Sequence, residues 1–307
     1  RRDAVRALAA AWLGWMALTH GRLARRDRSY VAYDYSRALL ADAGPRALLV
    51  AYSDYDLFPL WFQQDVLGRS PGTVIADSDL PADPARSGAG EVTLVYPVGA
   101  ARLARLLPNV GRIPAVDPGR PVWFTVVYDS LEGYPLLPRG VAYRYERDRA
   151  ALGRADVLGE WRRWRRRRVV RGAWDPAVPK DTATRIPLHY WGYGDYRRGR
   201  LLADRKRWRE ALGPLRAALA WPCFSGLGAA GAHAELGRCY RALGRRADAA
   251  REFADAVKSA PRWAPGLRAL AASEWEAGRR SAARDLLRRA AEADAADASD
   301  APNLLTR

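Results

Sequence analysis

Cysteine and histidine are scarce in this sequence, whose 307 residues include only 2 Cys and 3 His. Two cysteines cannot build a disulfide framework, and no Cys-x-x-Cys or Cys/His spacing indicates zinc. His20, His189 and His233 lie in three separate segments, so neither a catalytic triad nor a metal cluster is predicted. We expect no metal and no cofactor. Cys223 and Cys239 are expected to be buried on neighbouring helices, and a single disulfide between them stays open.

Long apolar runs are also missing, since no stretch approaches the roughly 20 residues that cross a bilayer as a helix. The nearest candidate is the uncharged stretch 7–19, which contains Trp12, Trp15 and Met16 and is flanked by arginines. It is open to three interpretations: the end of a truncated membrane helix, an amphipathic helix packed on the domain, or a signal-peptide core. The first is favoured because the chain opens on arginine instead of Met, so residues 1–26 are predicted to end a membrane helix or a packed apolar helix.

Basic residues are in large excess, giving a net charge of +17. Residues 145–209 contain nineteen Lys or Arg and eight Asp or Glu, and therefore carry +11 of that charge. Within them, the run 160–168 interleaves Trp161 and Trp164 with arginines. We favour a solvated helix whose tryptophans pack inward. An anionic lipid surface is the next alternative, and nucleic acid is disfavoured as a partner.

Residues 27–146 alternate between strand and helix signals, which predicts an α/β domain with a mostly parallel, Rossmann-like sheet. The apolar run 47–52 is typical of a strand buried on both faces. Further strands are predicted at 73–76, 92–96, 122–128 and 141–145. Helices are predicted at 33–42, at 100–107, and from residue 56 or 59 to residue 67. Residues 77–91 are predicted to be a loop. Residues 147–190 form a basic connector, interrupted by prolines, in which we place the domain boundary.

Residues 191–296 contain no strand signal and resemble an all-α array of tetratricopeptide repeats. Seven residues fall at the spacing of that repeat's signature within one unit: Leu236, Gly237, Tyr240, Ala249, Phe253, Ala256 and Pro261. A later unit is indicated by Ala283, Leu287 and Ala290, and an earlier one by Gly199, Ala211 and Leu215. Small residues in this pattern lie where two helices cross closely, and aromatic ones fill the gap between hairpins. Residues 297–307 are predicted to be a frayed tail.

Two enzyme-like spacings occur in unsuitable surroundings. Residues 226–231 have the glycine spacing of a dinucleotide-binding loop, but no strand signal precedes them. Residues 68–72 have the spacing of a nucleophile elbow, but Ser70 follows a predicted helix and precedes a strand, which is the reverse of that motif. No catalytic residue is therefore assigned, and whether the chain belongs to an enzyme stays open.

The segment 52–65 is dense in acidic and aromatic residues and directly follows the first buried strand, where open α/β sheets place ligands. Asp54 and Asp56 could cap the following helix while the aromatic residues fill the core. Alternatively, Asp54, Asp56, Trp61 and Gln64 could form a ligand-binding or acceptor-binding site. Capping is favoured, and the site stays open.

This segment resembles the Gly-Asp-Asn-Asp-Thr-Phe-Pro-Leu-Trp-Tyr motif of multi-spanning glycosyltransferase C superfamily proteins, which include a protein O-mannosyltransferase. The matching residues are Asp54, Asp56, Phe58, Pro59, Leu60 and Trp61, whereas Ser53, Tyr55, Leu57 and Phe62 depart from the pattern. Residues 33–35, 120–124 and 140–144 resemble flanking parts of the same soluble region. The resemblance implies a polyprenyl-phosphate sugar donor and a catalytic acid in membrane-proximal segments that this sequence does not contain.

The resemblance leads to our first functional hypothesis, an extracytoplasmic C-terminal module of a membrane-anchored glycosyltransferase that positions a protein acceptor. The alternative is a non-enzymatic tetratricopeptide scaffold for protein–protein interaction. Both hypotheses give the helical repeats a protein or peptide partner, because stacked repeats present an extended concave surface. The first also requires attachment to a membrane through N-terminal helices.

Overall fold

The computed structural model describes residues 29–77, 121–127, 135–146 and 148–304. The predictions for residues 1–26, the strand at 92–96 and the helix at 100–107 lie outside the described residues, as do most of the 77–91 loop and the last three residues of the tail. Within the described ranges, no helix combines the length and the apolar character needed to span a bilayer.

In its described residues, the N-terminal part combines two helices with a five-stranded sheet. Its elements are α1 (Val31–Ala43), β1 (Leu48–Ala51), α2 (Asp54–Trp61) with a π-helical turn (Phe62–Val66), β2 (Val74–Asp77), β3 (Val122–Phe124), β4 (Leu136–Arg139) and β5 (Ala142–Tyr145). All four residues of β1 are buried, as expected for a strand at the centre of a sheet. Gly44, in the left-handed region at φ 76°, ends α1.

The sheet is mixed, and this corrects the mostly parallel, Rossmann-like prediction. The strand order is β2-β1-β3-β5-β4. β1 pairs in parallel with β2 and β3, whereas β5 is antiparallel to both β3 and β4. The sequence pattern missed β4 because Pro138 lies within it. Proline cannot donate a ladder hydrogen bond, and β4 accommodates it at the edge of the sheet.

A turn at Gly140 joins β4 to β5 and is fixed by Asp42 from α1. Gly140 has φ 60°, and a Cβ atom on it would lie 1.7 Å from Asp42 Oδ2. Val141 N–H donates to the same carboxylate at 2.7 Å. Burial raises the pKa of Asp42 to about 7, although the Val141 hydrogen bond and nearby Arg198 oppose the shift.

Asp42→Asn is expected to raise the free energy of unfolding relative to the wild type, and to do so more at pH 8 than at pH 4. Because the folded pKa of about 7 lies above the ordinary 3.8, the folded state holds the proton more tightly than the unfolded chain. The stability that this provides is complete below about pH 4 and is lost as pH rises through 7. Asparagine cannot ionise, yet its carbonyl can still accept from Val141. The variant should therefore gain on the order of 4 kcal/mol over the wild type between the two pH values, since a shift of one pKa unit corresponds to about 1.4 kcal/mol.

Urea unfolding followed by circular dichroism at pH 4 and pH 8 measures this difference. A variant-minus-wild-type difference that stays constant with pH would contradict the assignment of the shift to Asp42.

Two helices in the basic region lead into a six-helix array. They are α3 (Arg149–Arg154) and α4 (Val157–Arg167), followed by α5 (Thr182–Asp204), α6 (Trp208–Leu219), α7 (Gly226–Ala242), α8 (Arg246–Ser259), α9 (Ala264–Glu276) and α10 (Arg280–Leu304). Asp156 caps α4 and Asp181 caps α5, each accepting a backbone N–H. In α4, Trp161 is buried and Trp164 half-buried, as the inward-packing interpretation of the basic run expects. The array begins inside the predicted connector, and Pro187 is accommodated within α5.

The array consists of three helical hairpins that resemble tetratricopeptide units. In the first, a Cβ on Gly199 would lie 2.5 Å from Leu215 Cγ, and in the second, a Cβ on Gly237 would lie 2.5 Å from Phe253 Cε1. The two glycine–partner pairs have the same sequence separation. Both hairpins therefore use the absence of a side chain on one helix to seat a large side chain from the next.

The third hairpin follows the pattern only in part. Ala283 and Ala290 are buried as predicted, but Leu287 is 48% exposed and Leu286 is buried in its place. In the described residues, no further hairpin packs beyond α10, so the face that carries Leu287 stays open.

Asp195 connects the array to the basic region. This residue of α5 is fully buried and accepts hydrogen bonds from Trp161 Nε1 at 2.7 Å, Trp221 Nε1 at 2.8 Å and Arg168 Nη1 at 3.0 Å. Around it, one hydrophobic core runs from Val31 in α1 to Phe253 in α8. The sheet and the first two hairpins are thus packed against each other.

Both cysteine thiols are free. Cys239 is buried in α7, and burial raises the pKa of its thiol to about 12, so it is inert as a nucleophile near neutral pH. Cys223 is only half-buried and lies in the turn between α6 and α7 instead of on a helix, with φ 67°. The expectation that both lie buried on neighbouring helices is therefore correct only for Cys239.

Candidate functional site

Alternate helices of the array line one groove of about 640 Å³. From α5 it receives His189, Tyr193, Tyr196 and Arg200, which recur every three or four residues and thus share one face of the helix. From α7 it receives Leu227, Gly228, Gly231, Ala234, Glu235, Arg238 and Arg241, and from the start of α9 it receives Trp263, Pro265 and Ala269. The first helix of each hairpin thus faces the groove, Phe253 of α8 adds to the lining, and no described residue of α6 or α10 belongs to it.

Two glycines set how closely α5 and α7 approach beneath the groove. A Cβ on Gly231 would lie 3.0 Å from Tyr196 Oη, and a Cβ on Gly228 would lie 3.0 Å from His189 Cε1. The groove floor is therefore formed by aromatic rings of α5 lying directly against the backbone of α7.

The rings of this floor form a continuous aromatic row. His189 stacks on Tyr193 with ring centroids 6.4 Å apart, and Tyr193 lies 5.5 Å from Tyr196. Burial raises the pKa of Tyr196 to about 12 and lowers the pKa of His189. Both rings are therefore neutral at pH 7, and the row offers polarisable apolar surface to a bound chain.

Charged groups line the other side of the groove and are predominantly positive. Arg238 Nη2 donates to Asp204 Oδ1 at 2.7 Å and lies 2.7 Å from Glu235 Oε2, where the contact is an ion pair without hydrogen-bond geometry. Burial raises the pKa of Glu235, and Arg238 opposes that shift. Arg241 lies over the Phe253 ring at 5.6 Å and is 3.8 Å from Glu276. Together with Arg200, the groove lining thus contains three guanidinium groups and a single carboxylate, that of Glu235.

The predicted signature residues build the hairpin beneath the groove. Leu236, Gly237, Tyr240, Ala249, Phe253 and Ala256 are buried, and Pro261 is exposed in the turn before α9. Of these, Phe253 alone also contributes to the groove lining. The signature therefore identifies the scaffold and not the side chains that would contact a partner.

The four residues of the predicted acidic-aromatic site lie elsewhere, on α2 and the π-helical turn. Asp56 is fully buried, accepting from Thr125 Oγ1 at 2.7 Å and from Tyr52 N–H at 3.2 Å. Burial raises its pKa to about 6, while the Thr125 hydrogen bond opposes the shift. Asp54 is exposed, and no side chain caps the start of α2. Asp56 thus ties β1 to β3 and does not cap its own helix.

The other two residues of that segment also have structural partners. Gln64 Nε2 donates to the carbonyl oxygens of Ser70 at 3.0 Å and Thr73 at 2.7 Å, which holds the turn that leads into β2. Trp61 is half-buried, with its ring 5.8 Å from that of Phe58. The ligand role of these residues stays a prediction.

The outer face of this segment is apolar and exposed. Phe58 is 57% exposed, and Tyr55 and Phe62 are also exposed. These positions recur at helical spacing, so the three rings share one face. The interpretation that placed the segment's aromatic residues in the core is therefore wrong for Phe58 and Phe62.

Sequence reasoning did not identify the lining of the groove. The signal that could have done so is the row His189, Tyr193, Tyr196 and Arg200, because a helix face of aromatic and basic residues is unusual on the open side of a repeat. One acidic cluster also appears only in the structure. His233 Nδ1 lies 2.8 Å from Glu252 Oε2, and Asp255 lies nearby. This contact joins α7 to α8, and an ordinary interhelical pair accounts for it.

No family model matches this chain, and no curated protein matches it. Among solved structures, it is similar to a crystal structure of MamA at 17% identity and a TM-score of 0.32, over 38% of this chain and 70% of that one. It is also similar to a MamA RS-1 ArsTM double mutant at 18% identity and a TM-score of 0.31, over 50% of this chain and 93% of that one. Likeness at these scores carries no inference about function. None of these comparisons supports the glycosyltransferase C resemblance.

Proposed function

We propose that this protein is an interaction scaffold whose helical array binds an extended acidic segment of a partner protein in the groove. The observation that supports this most directly is that α5, α7 and α9 all turn one face to the same concave surface. A chain lying across three parallel helices can place a side chain against each of them in turn.

The side chains that line the groove indicate which residue types the bound segment contains. Arg200, Arg238 and Arg241 favour carboxylates, since guanidinium–carboxylate hydrogen bonds are charge-assisted. Tyr193 and Trp263 offer rings that are already ordered by their neighbours, so binding aromatic or aliphatic side chains there costs little conformational entropy. We therefore expect a segment that alternates acidic and large apolar residues.

Selection of peptides from a displayed random library against the whole chain tests the proposal. The selected sequences should be enriched in acidic and apolar residues, and Tyr193→Ala or Arg241→Glu should weaken their binding by at least about tenfold in fluorescence anisotropy. The physical reason is the loss of a contact ring in one variant and the reversal of a groove charge in the other.

The matched control is Arg284→Glu, on the exposed surface of α10 and outside the groove lining. It makes the same change in net charge as Arg241→Glu, so it separates groove binding from general attraction to a chain of charge +17. Equal weakening by the two charge reversals would overturn the proposal.

The narrower partner, a protein acceptor presented to a membrane glycosyltransferase, is supported only by the acidic-aromatic segment and its exposed face of Asp54, Tyr55 and Phe58. Asp54→Ala in the same assay separates the two functions. A scaffold that uses the groove alone should bind the selected peptides unchanged, whereas acceptor binding that extends to α2 should be weakened.

A further inference from the structure

A second cavity, of about 740 Å³, lies between α1 and the basic helix α4 and shares no lining residue with the groove. Each of the two helices turns one face toward it, since the lining residues recur at three and four positions along both. These residues are Asp34, Arg37 and Asp42 from α1, and Glu160, Arg163 and Arg167 from α4. The turn at Gly140 closes one side.

Arginine dominates the lining. Six guanidinium groups, of Arg37, Arg139, Arg144, Arg163, Arg167 and Arg168, face three carboxylates. Each carboxylate already has its own donor: Asp34 accepts from Arg171 Nη2 at 2.7 Å, Glu160 pairs with Arg139, and Asp42 accepts the Val141 N–H at 2.7 Å. The acidic groups of the lining are therefore already engaged by the scaffold, and the guanidinium groups outnumber them two to one.

Two of the arginines are available for a ligand. Within the described part of the chain, neither Arg37 nor Arg167 has an acidic partner at ion-pairing distance, and both side chains are exposed. Arg144 and Arg163 are only loosely paired, 3.6 Å from Glu146 and 3.8 Å from Asp156. Arg168 is committed to Asp195. Positive charge therefore faces the cavity from both helices.

Tryptophans form the inner wall of the cavity. Trp164 stacks on Trp191 with centroids 5.4 Å apart, and Arg168 and Arg198 lie over the Trp164 ring at 5.0 and 4.5 Å. Trp123 is 6% exposed and Trp191 is 1% exposed. Neither indole N–H has an acceptor among the described residues. Buried donors of this kind ordinarily have a partner, and both tryptophans belong to the cavity lining.

We propose that this cavity binds a phosphate-bearing ligand between Arg37 and Arg167. A phosphate or diphosphate carries several acceptor oxygens and more than one negative charge, so it can engage guanidinium groups from two facing helices at once. A single carboxylate has two oxygens and one charge, and it matches one arginine fork rather than several. The same group could reach the site on a free molecule or on a phospholipid headgroup.

Isothermal titration calorimetry of the whole chain with inorganic pyrophosphate at low salt tests whether the cavity binds phosphate groups on a free molecule. The wild type should bind in the millimolar range or tighter, and the double variant R37A/R167A should bind at least about tenfold more weakly, because two charge-assisted contacts are lost. Both side chains are exposed and have no described acidic partner, so the variant should unfold at the wild-type temperature, which a thermal melt checks.

The control is R162A/R166A, which removes the same charge from exposed positions of α4 outside the cavity lining. Its pyrophosphate affinity should stay within about twofold of the wild type, since distant surface charges are screened. Equal losses in the two double variants would show diffuse attraction to a basic surface and would overturn the proposal.

Flotation with phosphatidylcholine vesicles that contain phosphatidic acid tests the lipid source. Vesicle binding that depends on Arg37 and Arg167 and not on Arg162 and Arg166 supports a headgroup as the ligand, even without measurable pyrophosphate binding. If neither probe binds in a manner that depends on Arg37 and Arg167, the cavity is not a phosphate site.

Discussion

Asp195→Ala is expected to lower the free energy of unfolding by about 3 to 5 kcal/mol, the range found when one partner of a buried ion pair is removed. The substitution leaves the indole N–H groups of Trp161 and Trp221 without their acceptor, and it leaves Arg168 without its carboxylate. Arg198 is also fully buried nearby, where burial lowers its pKa and the charge of Asp195 opposes that shift. One truncation therefore removes the compensation for several buried donors.

Urea unfolding followed by tryptophan fluorescence measures the loss, and Asp195→Asn should fall between alanine and the wild type. Its carbonyl can still accept a hydrogen bond, but its amide would face donors. The control on the same helix is Asp204→Ala, which breaks an ion pair with Arg238. The Arg238 side chain is 37% exposed and that of Asp204 is 50% exposed, so the substitution should lower the free energy of unfolding by no more than about 1 kcal/mol. Similar losses for the two alanine variants would contradict the role given to Asp195.

Phe253→Ala is expected to destabilise the protein by about 3 to 5 kcal/mol, the usual cost of truncating a buried phenylalanine. The ring is 2% exposed and fills the space left by Gly237, so its loss opens a cavity at the crossing of α7 and α8. Those two helices cannot close the gap without moving the floor of the groove. Chemical unfolding of the variant measures the cost.

Leu287→Ala is the matched control, since residue 287 lies one 34-residue repeat period after Phe253. Its side chain is 48% exposed, so the substitution should change stability by less than about 1 kcal/mol. A loss at Leu287 as large as that at Phe253 would mean that a further element covers this face in solution.

Sequence patterns predicted the hairpins of the array because their determinants are local. Helical period, the spacing between Gly237 and Phe253, and the turn before α9 all involve residues close together in the chain. The apolar run of β1 was equally readable, since a strand buried on both faces shows no alternation. The pattern could not show whether another hairpin packs against the face of α10 that carries Leu287.

The candidate groove was only partly predictable. The row from His189 to Arg200 is visible on one helix, but the contribution of α7 depends on Gly228 and Gly231, which allow the two helices to approach. The predicted site at Asp54, Asp56, Trp61 and Gln64 shows the reverse problem. Its residue types suit a ligand, whereas Asp56 Oδ2 and Gln64 Nε2 form hydrogen bonds with residues of the scaffold.

By itself, the sequence determined that this protein contains a buried strand, helices of repeating hairpin pattern and a strongly basic middle segment, because each is a property of neighbouring residues. The tertiary structure alone decided the antiparallel side of the sheet, the convergence of three donors on Asp195, and the placement of Arg37 and Arg167 in the lining of one cavity. Those arrangements join residues far apart in the chain. Their burial, pairing and pKa depend on which surfaces face each other after folding, and no local pattern records that choice.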